Sequence, residues 1–156
     1  MPETNLVLWD VYGTLIATHY DESTDCGDIP LKLRPGALEI LSEINSRKIS
    51  QATISDGDLG NLKNNFKEVG IDWINYFDDL YQMTPWQPKD ISYIIEDYNK
   101  LFDCKIKPEN VLVIGDNYEI DIKLAKEQGC QTIHTIELIK YGLNPLPIDK
   151  IREMID

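Results

Sequence analysis

The sequence predicts an α/β domain of three layers, with helices on both faces of a mostly parallel five-stranded sheet. Short apolar runs alternate with longer helix-like stretches, which is the βαβ pattern of a parallel sheet. The runs are continuously apolar, as strands buried on both faces are. Three of them end in acidic or hydroxyl-bearing residues, the usual mark of strands whose carboxyl ends open onto a crevice. The length, 156 residues, suits one domain with one core, so residues 1–156 are read as a single unit.

The elements follow in order. Leu6-Val7-Leu8-Trp9 is the first strand, ending in Asp10-Val11-Tyr12-Gly13-Thr14. Residues 16–31 are polar and punctuated, and read as a short flap, loop or small hairpin. Pro35-Gly36 opens an amphipathic helix with Ala37, Leu38, Ile40, Leu41 and Ile44 on one face. Ile49 to Ile54 is a second strand, ending at Ser55-Asp56-Gly57; a polar helix follows to about Val69, with Gly70 as its stop. Leu80-Tyr81-Gln82-Met83 is a weaker third strand. Pro88 starts a long helix carrying Ile91, Ile94, Ile95, Tyr98 and Leu101, with Lys89 in its first turn. Val111-Leu112-Val113-Ile114 is the clearest fourth strand and runs into Gly115-Asp116-Asn117. A helix to Gln128 is stopped by Gly129, and Gln131 to Ile136 makes a fifth strand. Residues 137–156 form a tail with Pro145, Pro147 and a short helix from Asp149; Ile148, Ile151 and Ile155 would cover the sheet or meet a partner. Trp86 is expected to pack.

The formal net charge is −12. Such a surface repels phosphate backbones and anionic headgroups, so neither nucleic acid nor membrane is an expected partner. Cys26, Cys104 and Cys130 are odd in number and scattered, with no CxxC or Cys/His cluster to suggest a disulfide framework or zinc site. The first residues lack the basic and apolar segments of a signal peptide, and no apolar run reaches spanning length. A cytoplasmic location is the expectation.

Chemistry concentrates at the strand ends. Asp10 follows the first strand, Ser55 and Asp56 the second, Asp116 the fourth, and Lys89 follows the third. In a parallel sheet these side chains converge on one crevice. Singly, each has a plainer reading: Asp10 capping a turn, Ser55 an N-cap, Asp116 and Asp121 solvated carboxylates.

The order and context resemble the haloacid dehalogenase superfamily. There the first strand ends in DxDGT(L/V), the second in Ser or Thr, a lysine begins a later helix, and an acidic GD…D motif follows the fourth. The matches here are Asp10-Val11-Tyr12-Gly13-Thr14-Leu15, Ile54-Ser55-Asp56-Gly57, Pro88-Lys89 and Gly115-Asp116-Asn117-Tyr118-Glu119-Ile120-Asp121. The resemblance spans roughly residues 5–136 and implies a Rossmann-like domain. It also implies a Mg²⁺ ion held by Asp10, the Tyr12 main-chain carbonyl and Asp116, with Asp121 nearby or acting through water. Asp10 would be the nucleophile, and a phosphoryl group would be held by Thr14, Ser55, Asp56 and Lys89. Catalytic roles thus fall on Asp10, Tyr12, Ser55 and Lys89. Substrates would be small phosphorylated molecules or phosphorylated macromolecules.

Tyr12 departs from the pattern. Most phosphatases of the family carry an aspartate there, which protonates the leaving alkoxide; tyrosine, with a reference pKa of about 10, is a poor base at neutral pH. An Asp-x-Tyr-Gly-Thr motif is similar to that of the 2-haloacid dehalogenases. Those enzymes generally lack the Gly-Asp of the fourth motif and carry a helical cap, for which neither the stretch from Leu15 to Leu31 nor that from Ser55 to Lys89 leaves room. The sequence therefore predicts no cap domain and three functional readings: a Mg²⁺-dependent phosphatase, a dehalogenase-like hydrolase, or a non-catalytic binding member. In the first, Asp56, Glu119 or His19 could replace the missing acid.

Overall fold

The computed structural model describes residues 2–17, 31–135 and 144–156. Five strands, β1 (Leu6–Trp9), β4 (Ser50–Ser55), β5 (Asp79–Gln82), β6 (Val111–Gly115) and β7 (Gln131–His134), form one parallel sheet in the order β5-β4-β1-β6-β7. The central β1 is buried at every residue, which explains its unbroken apolar run. The antiparallel pair β2 (Ile16–Ala17) and β3 (Lys32–Leu33) brackets the predicted flap. Of that flap, residues 18–30 lie outside the described residues, as do residues 136–143 of the predicted tail.

Helices α1 (Ala37–Ser46), α2 (Leu59–Glu68) and α5 (Ile148–Ile155) supply one face of the core together with Val7, Trp9, Leu112 and Ile114. On the other face, α3 (Ile91–Phe102) and α4 (Lys123–Glu127) pack against Leu6, Leu8, Ala52, Ile54, Val111 and Val113. Alternate residues of β1 thus serve opposite cores, as the period of two demands. The tail helix covers the sheet: Ile151 and Ile155 are buried in the first cluster.

Register positions the chemistry. Trp9 pairs with Thr53 on one side and Ile114 on the other, so Asp10 comes level with Ile54 and Gly115, one residue short of Ser55 and Asp116. The Asp10 amide donates to the Ile114 carbonyl at 2.9 Å, holding the Asp10 backbone to β6.

Several expectations are corrected. Leu38 is exposed, because the buried stripe of α1 is Ala37, Ile40, Leu41 and Ile44, an i, i+3, i+4, i+7 set that passes it by. Leu101 is exposed too; Phe102, one full turn after Tyr98, makes the ring contact instead, with centroids 4.5 Å apart. The helix after β5 starts later than Pro88: Asp90 is its N-cap, accepting from the Tyr93 amide. Lys89 therefore precedes the helix rather than opening it. Trp86 does not pack; it is 87% exposed, with φ of 62°.

Candidate active site

The loop after β1 turns sharply, and two glycines explain how acidic side chains come so close. Gly13 has φ of 86°, and a Cβ there would lie 2.5 Å from Asp116 Oδ2. At the end of β6, a Cβ on Gly115 would lie 2.5 Å from both Cβ and Oδ2 of Asp121. Asp121 reaches that position on a wide π-helical turn, Tyr118–Ile122, capped by the Asn117 side chain, and the Asn117 amide donates to Asp121 Oδ2 at 3.1 Å. Such turns often occur at functional sites.

Carboxylate oxygens of Asp10, Asp116 and Asp121 come within 4.8 Å of one another. Asp10 is 7% exposed and Asp121 2%, so the Asp10 carboxylate does not face solvent as a simple strand-end cap would. Lys89, 2% exposed, lies between them, with Nζ 2.9 Å from Asp10 Oδ1 and 2.7 Å from Asp121 Oδ1. The latter contact is close but off the angle of a hydrogen bond. The Lys89 amide donates to the Ile120 carbonyl at 2.9 Å, which ties the lysine's backbone to the acidic turn. Thr14 Oγ1 sits 2.9 Å from Asp10 Oδ2 and 3.2 Å from Asp116 Oδ1, with one proton to share between them.

The charges are unevenly met: Lys89 is shared by Asp10 and Asp121, and Asp116 has the buried Arg34 guanidinium nearby. Burial pushes the Asp10 carboxyl up to about 7 against the pull of Lys89, with Asp116 adding to the rise. Burial and the Asp10 charge likewise raise Asp121. Burial opposes the charge on Lys89, but Asp10 and Asp121 outweigh it and hold the ammonium above the usual lysine value. Ser55 is fully buried at the end of β4, and its Oγ accepts from the Gly57 amide at 3.1 Å. Asp56 is half-buried in the same turn.

Tyr12 turns its side chain away from the acids. Its hydroxyl accepts from Asn65 Nδ2 on α2. Burial raises this phenol above its usual value, with the Asn65 contact opposing and the charges of Asp56 and Asp58 adding. Among the substitute acids, His19 lies outside the described residues, and Glu119 is exposed and faces Lys123 at 3.7 Å.

Sequence reasoning missed Arg34. It is buried, donating from Nε to the Asn144 carbonyl at 2.8 Å and from Nη1 to the Thr14 carbonyl and Thr135 Oγ1, each at 3.3 Å. It thereby ties the loop after β1 to the end of β7 and to the segment before α5. Burial lowers its pKa and the nearby Asp116 opposes that. A lone Arg before Pro35-Gly36 gave no signal of this. His134 was also missed: its Nε2 is 2.9 Å from the Asp116 carbonyl.

Among the described residues no helix is long and apolar enough to cross a membrane. Of the cysteines described, Cys104 and Cys130 are free.

The fold and site can be set beside known proteins. No curated protein sequence matches this chain. Solved structures do. An uncharacterized protein from Listeria monocytogenes serotype 4b is 23% identical, with TM-score 0.64 over 92% of this chain and 86% of that one. A predicted phosphoglycolate phosphatase from Haemophilus somnus 129PT is 12% identical, with TM-score 0.70 and all of both chains covered. A putative beta-phosphoglucomutase from Thermotoga maritima is 16% identical, with TM-score 0.70 over 98% of this chain and 100% of that one. At such identities the likeness concerns the fold. The model of the haloacid dehalogenase-like hydrolases matches residues 18–129, from the segment after the first motif to the glycine before β7. With that match over most of its length, the chain belongs to the haloacid dehalogenase-like hydrolase family.

Proposed function

We propose that the chain is a Mg²⁺-dependent phosphatase without a cap domain, acting through an aspartyl-phosphate on Asp10. The observation that carries this reading is the unbalanced acidic cluster. Three carboxylates converge within 4.8 Å, and Lys89 meets two of them, Asp10 and Asp121. Hard oxygen donors with excess negative charge suit a small divalent cation. Asp10, Asp116 and the Tyr12 main-chain carbonyl would hold it, with Asp121 beside them or acting through water. When bound, Mg²⁺ supplies positive charge to the phosphoryl oxygens and screens the carboxylates from one another.

The remaining work falls to the chain's own residues. Asp10 attacks phosphorus, and the leaving oxygen departs on the opposite side. Lys89 orients Asp10 through its 2.9 Å contact and brings positive charge to the transferring group. Ser55 Oγ and amides of its turn would hold phosphoryl oxygens, with Thr14 and Asp56 at the margins. Water then cleaves the acyl phosphate and restores Asp10. Tyr12, turned toward Asn65, does not take the place of the usual acid. Leaving groups of low pKa, aryl and acyl phosphates, are therefore favoured over alkyl phosphates. General acid assistance is typically worth about 10²–10⁴-fold.

The test is a panel of acetyl, p-nitrophenyl and glycerol phosphates, with and without Mg²⁺, beside a 2-chloropropionate control. Mg²⁺-dependent turnover ordered acyl and aryl above alkyl is expected, together with a beryllium fluoride adduct on Asp10. Chloride release without metal, or an adduct elsewhere, overturns the reading.

A further inference from the structure

Arg34 is buried beside the loop after β1 without touching the carboxylates of the acidic cluster through any hydrogen bond given above. Its main-chain amide donates to the Leu15 carbonyl at 2.8 Å. Its Nη1 donates to the Thr14 carbonyl at 3.3 Å and lies 3.5 Å from the Gly13 carbonyl. One residue thus meets three successive carbonyls of the turn. Thr14 is fully buried, so bulk water does not stand in for the donor that Arg34 supplies. The guanidinium is anchored in turn on the Asn144 carbonyl and Thr135 Oγ1, which makes it a fixed post and not a swinging arm. On the other side of the turn, Thr14 Oγ1 lies 2.9 Å from Asp10 Oδ2 and 3.2 Å from Asp116 Oδ1. Threonine is β-branched and stiff at χ1, so the direction of this hydroxyl follows the backbone that Arg34 holds.

We infer that Arg34 is a positioning residue: by holding the Thr14 carbonyl it aims Thr14 Oγ1 between Asp10 and Asp116, and so sets the spacing of those two carboxylates for a divalent cation. The last step rests on the phosphatase reading, which places Mg²⁺ there; the aiming of Thr14 does not. Groups that orient metal ligands from behind typically matter by about 10–100-fold in affinity. Charge and position predict opposite signs. A guanidinium near Asp116 repels a cation, so removing it would tighten Mg²⁺ binding if charge were its whole effect. If Arg34 works through Thr14, removing it weakens binding in spite of the repulsion relieved.

The experiment reads the metal and the threonine separately. Mg²⁺ is titrated calorimetrically into the parent protein, Arg34→Met, Thr14→Val and the double variant. Three-bond couplings to the Thr14 γ-methyl report its χ1 in metal-free parent and Arg34→Met. The parent should show one rotamer, and Arg34→Met an average of several. Arg34→Met and Thr14→Val should each weaken Mg²⁺ binding about tenfold. In the Thr14→Val background, Arg34→Met should add less than about twofold, because residues acting through one another are not additive. Should Arg34→Met fail to fold, Arg34→Lys carries the same comparison: it keeps the charge but lacks the fork that spans Thr14, Thr135 and Asn144. Unchanged or tighter Mg²⁺ binding in the Arg34 variant, full additivity with Thr14→Val, or a Thr14 rotamer that stays single overturns the inference. If the parent itself binds no Mg²⁺, the phosphatase reading falls, and the rotamer still decides whether Arg34 aims Thr14.

Discussion

The two halves of the crevice are built on different principles. On the β1–β6 side, Asp10, Asp121 and Lys89 are ionisable and nearly inaccessible, and burial raises both carboxyls. On the β4 side, Ser55, Gly57, Tyr12 and Asn65 are neutral, and their hydrogen bonds close among themselves. The first arrangement costs folding free energy that only a proton or a cation recovers; the second holds its geometry unaided. The difference teaches where added positive charge belongs: among the acids.

Removing the Asp10 carboxylate, the nucleophile of the proposed mechanism, tests the charged half most severely. Asp10→Asn should lower kcat by at least about 10⁴-fold. The metal-free variant should be no less stable than the parent, because it loses a buried carboxylate that repels Asp116 and Asp121. A variant that retains a tenth of the parent rate moves the nucleophile elsewhere.

Lys89→Met should be next in size. It leaves two buried carboxylates with no counter-ion, a loss of about 3–5 kcal/mol for metal-free protein in denaturant unfolding. A loss below about 1 kcal/mol would show that the pair is solvated in solution and that the halves differ less than their burial implies.

Ser55→Ala probes the neutral half. Loss of one preorganised donor should cost about 10–100-fold in kcat/KM, while the thermal shift produced by Mg²⁺ stays as in the parent. A variant that binds Mg²⁺ more weakly would join the two halves into one unit.

The smallest effect is a pH dependence confined to the charged half. Asp10 holds its proton to about pH 7 in the folded chain, against 3.8 for the free group. Between those values the folded state binds more protons than the unfolded one, so metal-free stability falls as pH rises through that window and levels off above it. A decrease in Tm of about 3 °C or more from pH 5 to pH 8 is expected. Saturating Mg²⁺ should raise Tm more at pH 8 than at pH 5, since the ion competes with the proton. Equal shifts at both pH values would place the cation away from Asp10.

Much of this organisation was legible in the residues. Apolar strands separated by amphipathic helices gave all five sheet strands to within a residue or two, and the strand-end motifs marked Asp10, Ser55, Lys89, Asp116 and Asp121 as neighbours. Gly13 and Gly115 belonged to those motifs, though their reason, close approach of Asp116 and Asp121, is steric and needs coordinates. Leu38, Leu101 and Trp86 were misread because hydrophobicity alone does not say which side of a helix or loop meets a neighbour. Arg34 and Asn65 carried no pattern at all: each acts through a single long-range set of hydrogen bonds, and local spacing holds no record of these.

The sequence by itself determined the layer architecture, the strand that ends at Asp10 and the departure at position 12, because period and strand-end chemistry are local properties. The tertiary structure alone decided that Lys89 is shared between Asp10 and Asp121, that Arg34 ties the first loop to β7, and that Tyr12 leans on Asn65 rather than on the acids. Those outcomes depend on strand register and helix packing, which bring together residues from 20 to more than 100 positions apart.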